Sequence, residues 1–222
     1  MSFPDSVLQL IEKYQLGPVV RWILENNPSQ ALPYHNLQHS LYVMFYAEKC
    51  WDSWRWGFEK ECPVHVLLAA LFHDFGHSGG LFPDGKNVEI AADAFRYFHF
   101  HNERKREPYI SPDAYHVDMV ANLILATEYP HELECLTADR MCLLDADMMQ
   151  YCNDTLFGCL VGIRSECFRY TGWDEYLEKT IEFLDGIAFH TPYGKENGTA
   201  GIAEARMRVE TFKTNVWEIP RL

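Results

Sequence analysis

Residues 63–80 read PVHVLLAALFHDFGHSGG, and this stretch decides the architecture. From Val64 to Phe72 almost every side chain is apolar, with no alternation, and Pro63 stands where a helix start tolerates proline. A segment that is apolar all round packs on every side, so the spacing predicts a buried central helix running to about Asp74. His73 and Asp74 break the apolar run, and His77 follows one turn later. An ionised aspartate at the end of a buried helix is costly unless it is paired or bound to a cation.

Outward from this helix, helical periodicity continues. Val7, Leu8, Leu10 and Ile11 mark a first amphipathic helix stopping near Gly17-Pro18, and Pro18–Asn26 reads as a short second one. The loop NNPSQALPYH leads into a third helix, Leu37–Lys49, whose apolar positions share one stripe. SGGLFPDGKN (78–87) is the strongly loop-like stretch. Helices are expected after it at 87–102, 113–128, 138–152, 154–170, 173–190 and 199–216, with Ser111-Pro112-Asp113 as one start signal. Trp51, Trp54 and Trp56, interleaved with Asp52, Ser53 and Arg55, suggest a hydrophobic corner. No strand pattern, repeat or low-complexity linker interrupts the series, so the expectation is an all-α single domain over residues 1–222.

The chain of 222 residues carries 19 basic and 32 acidic side chains, a net charge of −13. That balance argues against a nucleic-acid backbone or a membrane surface as partner. It leaves room for a small phosphorylated substrate if bound cations reverse the local field. Seven cysteines without a CxxC pair fit neither a disulfide framework nor a cysteine zinc knuckle. Cys142, Cys152, Cys159 and Cys167 resemble small core residues. No apolar run approaches the roughly 20 residues of a membrane span. MSFPDSVLQLIEKYQ carries an acid where a signal peptide is basic, so the expected location is cytoplasmic. No P-loop is present: SGG (78–80) lacks its Lys-Ser/Thr and follows a helix, not a strand.

Four of the ten histidines fall in two short segments rich in ligand types. His35 and His39 are four apart at a helix start and project from one face. His73-Asp74 and His77 form the second group, and Asp145 and Asp147 interrupt another apolar helix far downstream. Mixed imidazole and carboxylate donors suit one or two divalent ions among Mn, Fe, Zn, Ni and Mg.

His39, His73-Asp74 and Asp147 resemble the H…HD…D signature of the HD superfamily of metal-dependent phosphohydrolases. YHNLQHSLYV (34–43), AALFHDFGHSGG (69–80), NVEIAADAF (87–95) and VANLILATEYPHE (120–132) are similar to segments of the cyclic nucleotide phosphodiesterases within that superfamily. Together they cover about residues 34–150. LDAD, Ile163-Arg164-Ser165-Glu166, Thr191-Pro192 and Ala205-Arg206 resemble short bacterial HD proteins, metal-dependent hydrolases without an assigned substrate, whose length fits better.

The resemblance implies that His39, His73, Asp74 and Asp147 bind a first metal, with Asp74 bridging to a second and Asp145 the runner-up ligand. It implies His35 as general acid, His77 as a contact to phosphate or to waters of the second ion, and Glu89 as a water-ordering base. The implied reaction is hydrolysis of a phosphomonoester or phosphodiester of a small, nucleotide-like molecule by hydroxide generated at the metal. Alternatives are a cyclic nucleotide phosphodiesterase, a non-catalytic metal-stabilised nucleotide-binding module, and a di-iron oxygenase. TIEFLDGIAFHTPY (180–193) departs from the phosphodiesterase pattern, because Thr180 stands where their purine-reading glutamine falls, although Phe183 keeps the base-clamping aromatic. Ser78 stands where they carry proline. Glu128, Arg164 and Arg206 are lesser candidates, the arginines read as structural ion pairs, and the other six histidines as ordinary helix or surface residues.

Overall fold

The computed structural model describes residues 3–54, 61–105, 114–131 and 136–216. Ten α-helices occupy them: α1 (Phe3–Lys13), α2 (Gly17–Asn26), α3 (Leu37–Ser53), α4 (Val64–Phe72), α5 (Asp84–Lys105), α6 (Ala114–Leu125), α7 (Ala138–Met148), α8 (Leu156–Cys167), α9 (Trp173–Gly186) and α10 (Thr199–Val216). Among the described residues there is no strand, so the fold is all-α as the periodicity predicts. None of these helices is long and apolar enough to cross a membrane. The Ser111-Pro112-Asp113 start signal, Arg55 and Trp56 lie outside the described residues.

The apolar segment behaves as its composition dictates. Every residue from Val66 to Phe72 of α4 is buried, with α3, α5, α6 and α7 packed around it. A second apolar cluster gathers α8, α9, α10 and the 3₁₀ turn Met149–Cys152. Tyr46 and Tyr193 pack against both clusters. The chain crosses between the two at the places where the metal-ligand types occur. Ala146 belongs to the first cluster and Met148 to the second, so Asp147 sits on the seam. Tyr34 and Leu37 bracket His35 in the same way.

Several helix ends differ from expectation by three or four residues, and two of these differences bear on the site. The loop at 78–87 gives way to α5 at Asp84, because Pro83-Asp84 makes a helix start with an acid in the first turn. α9 stops at Gly186 instead of 190, and its cause is Asp145. The Asp145 carboxylate, buried on α7, accepts the backbone N–H of His190 at 3.0 Å, and the N–H and hydroxyl of Thr191 at 2.7 Å each. Those two amides are thereby drawn away from helical pairing. Burial pushes the Asp145 carboxyl up, and these donors from Thr191 and His190 pull against it. Replacing Asp145 by alanine would strand three buried donors. The expected loss in urea unfolding is about 3 kcal/mol, from roughly 1 kcal/mol for each orphaned group, without loss of bound metal.

Candidate metal centre

Local structure sets His39 and His73 on buried positions, with Asp74 and Asp147 partly buried beside them. Asn36 caps α3 by accepting the backbone N–H of Gln38 and His39, which sets His39 in the first turn. α4 ends at Phe72, so His73 and Asp74 emerge from the buried helix end beside it. A turn follows in which Gly76 adopts φ +74°, a left-handed conformation that favours glycine, and it brings His77 back. α7 delivers Asp147 in its last turn.

The four donor atoms converge. His39 Nε2 stands 3.1 Å from His73 Nε2, 3.1 Å from Asp74 Oδ2 and 3.2 Å from Asp147 Oδ1. His73 Nε2 is 3.2 Å from Asp74 Oδ2 and 3.6 Å from Asp147 Oδ1. Ligands held about 2.0–2.2 Å from one ion stand roughly 3–3.5 Å apart, so this spacing is that of a coordination shell. His73 Nδ1 donates to the Ala70 carbonyl at 2.8 Å, which fixes the proton there and turns the Nε2 lone pair toward His39 Nε2 and the Asp74 and Asp147 carboxylates. A cation, or a proton on His39 Nε2, reconciles them.

The protonation equilibria say the same. Burial opposes charge on His39 and His73, yet Asp74 and Asp147 outweigh it and hold both imidazoles above the usual histidine range. Burial likewise opposes ionisation of Asp74 and Asp147, and the histidines overcome it and hold both carboxyls well down. The donor set, two imidazoles and two carboxylates, fits a divalent transition ion. Asp145, two residues from Asp147, faces the opposite way and is committed to the His190–Thr191 backbone.

Beside this centre lies a second group. His35 and His77 stack face to face, with ring centroids 3.5 Å apart and planes at 22°. His35 Nδ1 meets Glu166 Oε2 at 2.5 Å, and the other Glu166 oxygen accepts the backbone N–H of Tyr34 and of His35. Glu166 is 4% exposed; burial opposes its charge, but the His35 contact and these amides hold it ionised below the ordinary glutamate range. The approach depends on Gly162, where a Cβ would stand 3.1 Å from Tyr34 Cβ and 3.4 Å from the Pro33 carbonyl. His77 Nδ1 accepts the Gly79 N–H at 3.2 Å, so its own proton sits on Nε2. Burial, and then the neighbouring His35, pull the His77 imidazole down to about 4, so it is neutral at pH 7.

All these side chains except Glu166 line a cavity of about 400 Å³, together with Asp84, Asn87, Thr127, Tyr129, His131 and Phe183. Glu89, given the water-ordering role from sequence, does not join them. It is exposed on the outer face of α5 and paired with Lys86 at 2.9 Å, because the stripe Val88, Ala91, Ala92 and Phe95 is the face that packs inward. The acid that α5 supplies to the cavity is Asp84, whose Oδ2 accepts the Tyr129 N–H at 2.6 Å. Glu128 is exposed beside Gly85. Arg164 donates to the Thr171 carbonyl and lies over Trp173, a structural clasp but not an ion pair. Arg206 pairs with Asp185 and Glu210 on the surface. His131, read from sequence as ordinary, lines the cavity, and His65 pairs with Asp139 away from it. Asp84 and Glu166 were given no role from sequence. Glu166 carried one signal, an acid on the buried α8 stripe of Cys159 and Gly162.

A family model described as "HD domain" matches residues 36–151, more than half of the chain. No curated protein and no solved structure matches it.

Removing a ligand should cost more than the 10–100-fold that loss of a supporting group costs, so Asp147→Ala or His39→Ala is expected to weaken Mn²⁺ or Zn²⁺ binding by ~100-fold or more in calorimetry. Asp145→Asn should leave that affinity nearly unchanged, and equal losses from Asp145→Asn and Asp147→Ala would contradict the ligand set drawn above.

Proposed function

Since the chain belongs to the HD domain family, whose members are generally metal-dependent phosphohydrolases, we propose that it cleaves a phosphate ester of a small, nucleotide-like molecule. The observation that carries this reading is the pairing of the His39, His73 and Asp74 donor group, with Asp147 against both imidazoles, and an adjoining histidine pair in one cavity. His39, His73, Asp74 and Asp147 would hold a divalent ion, with Asp74 placed to share a second. Such ions supply Lewis-acid neutralisation of phosphate oxygens and a nucleophile from water at neutral pH.

The chain's own residues do the rest. Glu166 keeps the His35 proton on Nδ1 as a donor, which leaves Nε2 as the atom that exchanges a proton with the leaving oxygen. His77, neutral and protonated on Nε2, offers a hydrogen bond to a phosphate oxygen without adding charge. The stacking of His77 on His35 fixes both rings, so donor and proton carrier reach the substrate at a set separation. Glu166 is a positioning residue, acting through His35. A true cyclic nucleotide phosphodiesterase is disfavoured, because the Thr180 hydroxyl donates its proton to the Tyr176 carbonyl at 2.9 Å and cannot offer the paired donor and acceptor of a glutamine amide.

The test is Mn²⁺-supplemented hydrolysis over cyclic mononucleotides, nucleoside mono- and triphosphates and sugar phosphates, with Asp74→Ala alongside. Turnover of one class by the native protein alone is expected. Silence on the whole panel with metal bound would favour a binding module. For Glu166→Gln, kcat on alkyl esters should fall by about 10²–10³, the range of general acid catalysis. p-Nitrophenyl phosphate, whose leaving group needs no proton, should lose far less, and an equal loss on both would reduce Glu166 to a structural part.

A further inference from the structure

The metal-side cavity adjoins a second one of about 280 Å³ lined by Leu160, Tyr176, Lys179 and Thr180 in addition to five shared walls, Tyr129, Tyr151, Ile163, Phe168 and Phe183. The second therefore lies beside the site of the proposed phosphate chemistry. There the walls are rings. Phe183 meets Tyr129 at 5.3 Å and Tyr151 at 5.2 Å, both edge-on, and Phe168 meets Tyr176 at 5.3 Å.

The hydroxyl protons of Tyr176 and Thr180 are already committed inside the protein. Tyr176 Oη donates to the Leu160 carbonyl at 2.7 Å, and Thr180 Oγ1 donates to the Tyr176 carbonyl at 2.9 Å. Lys179 Nζ is held by Glu175 at 3.0 Å. A guest in this compartment meets ring faces and edges and aliphatic carbon. The acceptors of a purine or pyrimidine entering it would lose water and find the Tyr176 and Thr180 hydroxyl protons already committed. A plain hydrocarbon ring loses nothing.

Resting on the hydrolase reading above, we infer that this compartment receives the leaving group and selects it as a flat apolar ring, by shape and burial, with no reading of base identity. The volume suits a one- or two-ring group. The preferred substrates are then phosphate monoesters of ring-bearing alcohols, and nucleotides are accepted without discrimination among their bases.

The experiment compares 2-(1-naphthyl)ethyl phosphate with ethyl phosphate, whose leaving alcohols are similar in basicity, beside the four nucleoside 5′-monophosphates. The expected result is a kcat/KM at least tenfold higher for the naphthyl ester, with the four nucleotides within about threefold of one another. Calorimetry with the non-hydrolysable naphthylmethylphosphonate and methylphosphonate supplies a readout free of turnover. The naphthyl compound should bind at least tenfold tighter, with a negative heat-capacity change that marks apolar burial. Phe183→Ala should bring both ratios close to one. Tenfold tighter phosphonate binding without hydrolysis of any ester would keep the compartment and remove the hydrolase. Hydrolysis with equal efficiency on the ethyl and naphthyl esters, or a tenfold preference for one base, would keep the hydrolase and overturn the inference.

Discussion

Two buried imidazoles and two partly buried carboxylates held together in the lining of one cavity are the constraint on which this protein is built. His39 and His73 stand 3.1 Å apart, and each meets Asp74 and Asp147 at 3.1–3.6 Å, at the seam between two apolar clusters. In a region of low dielectric such a group is tolerable only around positive charge. The surrounding helices supply the frame that keeps the donors from relaxing apart. α4 is buried along its length, so its end cannot swing His73 and Asp74 outward, and the Asn36 cap holds the first turn of α3 in register. Cation affinity is in this sense a by-product of hydrophobic packing.

A second buried carboxylate performs a different task. Glu166 is not a ligand of the four-donor centre; it holds three N–H groups of the Tyr34–His35 segment, backbone and ring together. Its charge is offset by the imidazole it orients, and its position by Gly162, which lets α8 come against that segment. The two carboxylate systems divide the work between holding a cation and fixing a proton's location.

The parts of this arrangement that sequence made legible are those encoded locally. The apolar run of α4, the HD step at its end and the four-residue spacing of His35 and His39 are readable because neighbours in the chain remain neighbours in space. Glu89 was misplaced although its stripe was available: Val88, Ala91, Ala92 and Phe95 mark the inward face, and position 89 falls off it. The choice between Asp145 and Asp147 was not readable, since two residues apart on a helix point to opposite sides and only the packing of α9 and its following loop says which side is which. Glu166 escaped for a plainer reason, because its partner His35 lies 131 residues away. The end of α9 was missed because an acid on another helix competes for its amides.

That competition has a mechanical consequence. Asp147 and Asp145 leave the same helix two residues apart, one toward the cation-binding group and the other into the loop that follows the aromatic wall of α9. The span between the imidazole–carboxylate end of the cavity and its ring-lined end is therefore gauged by a short piece of rigid backbone and not by two independently mobile lobes. The molecule contains a ruler, and a guest that fills both ends must match its length.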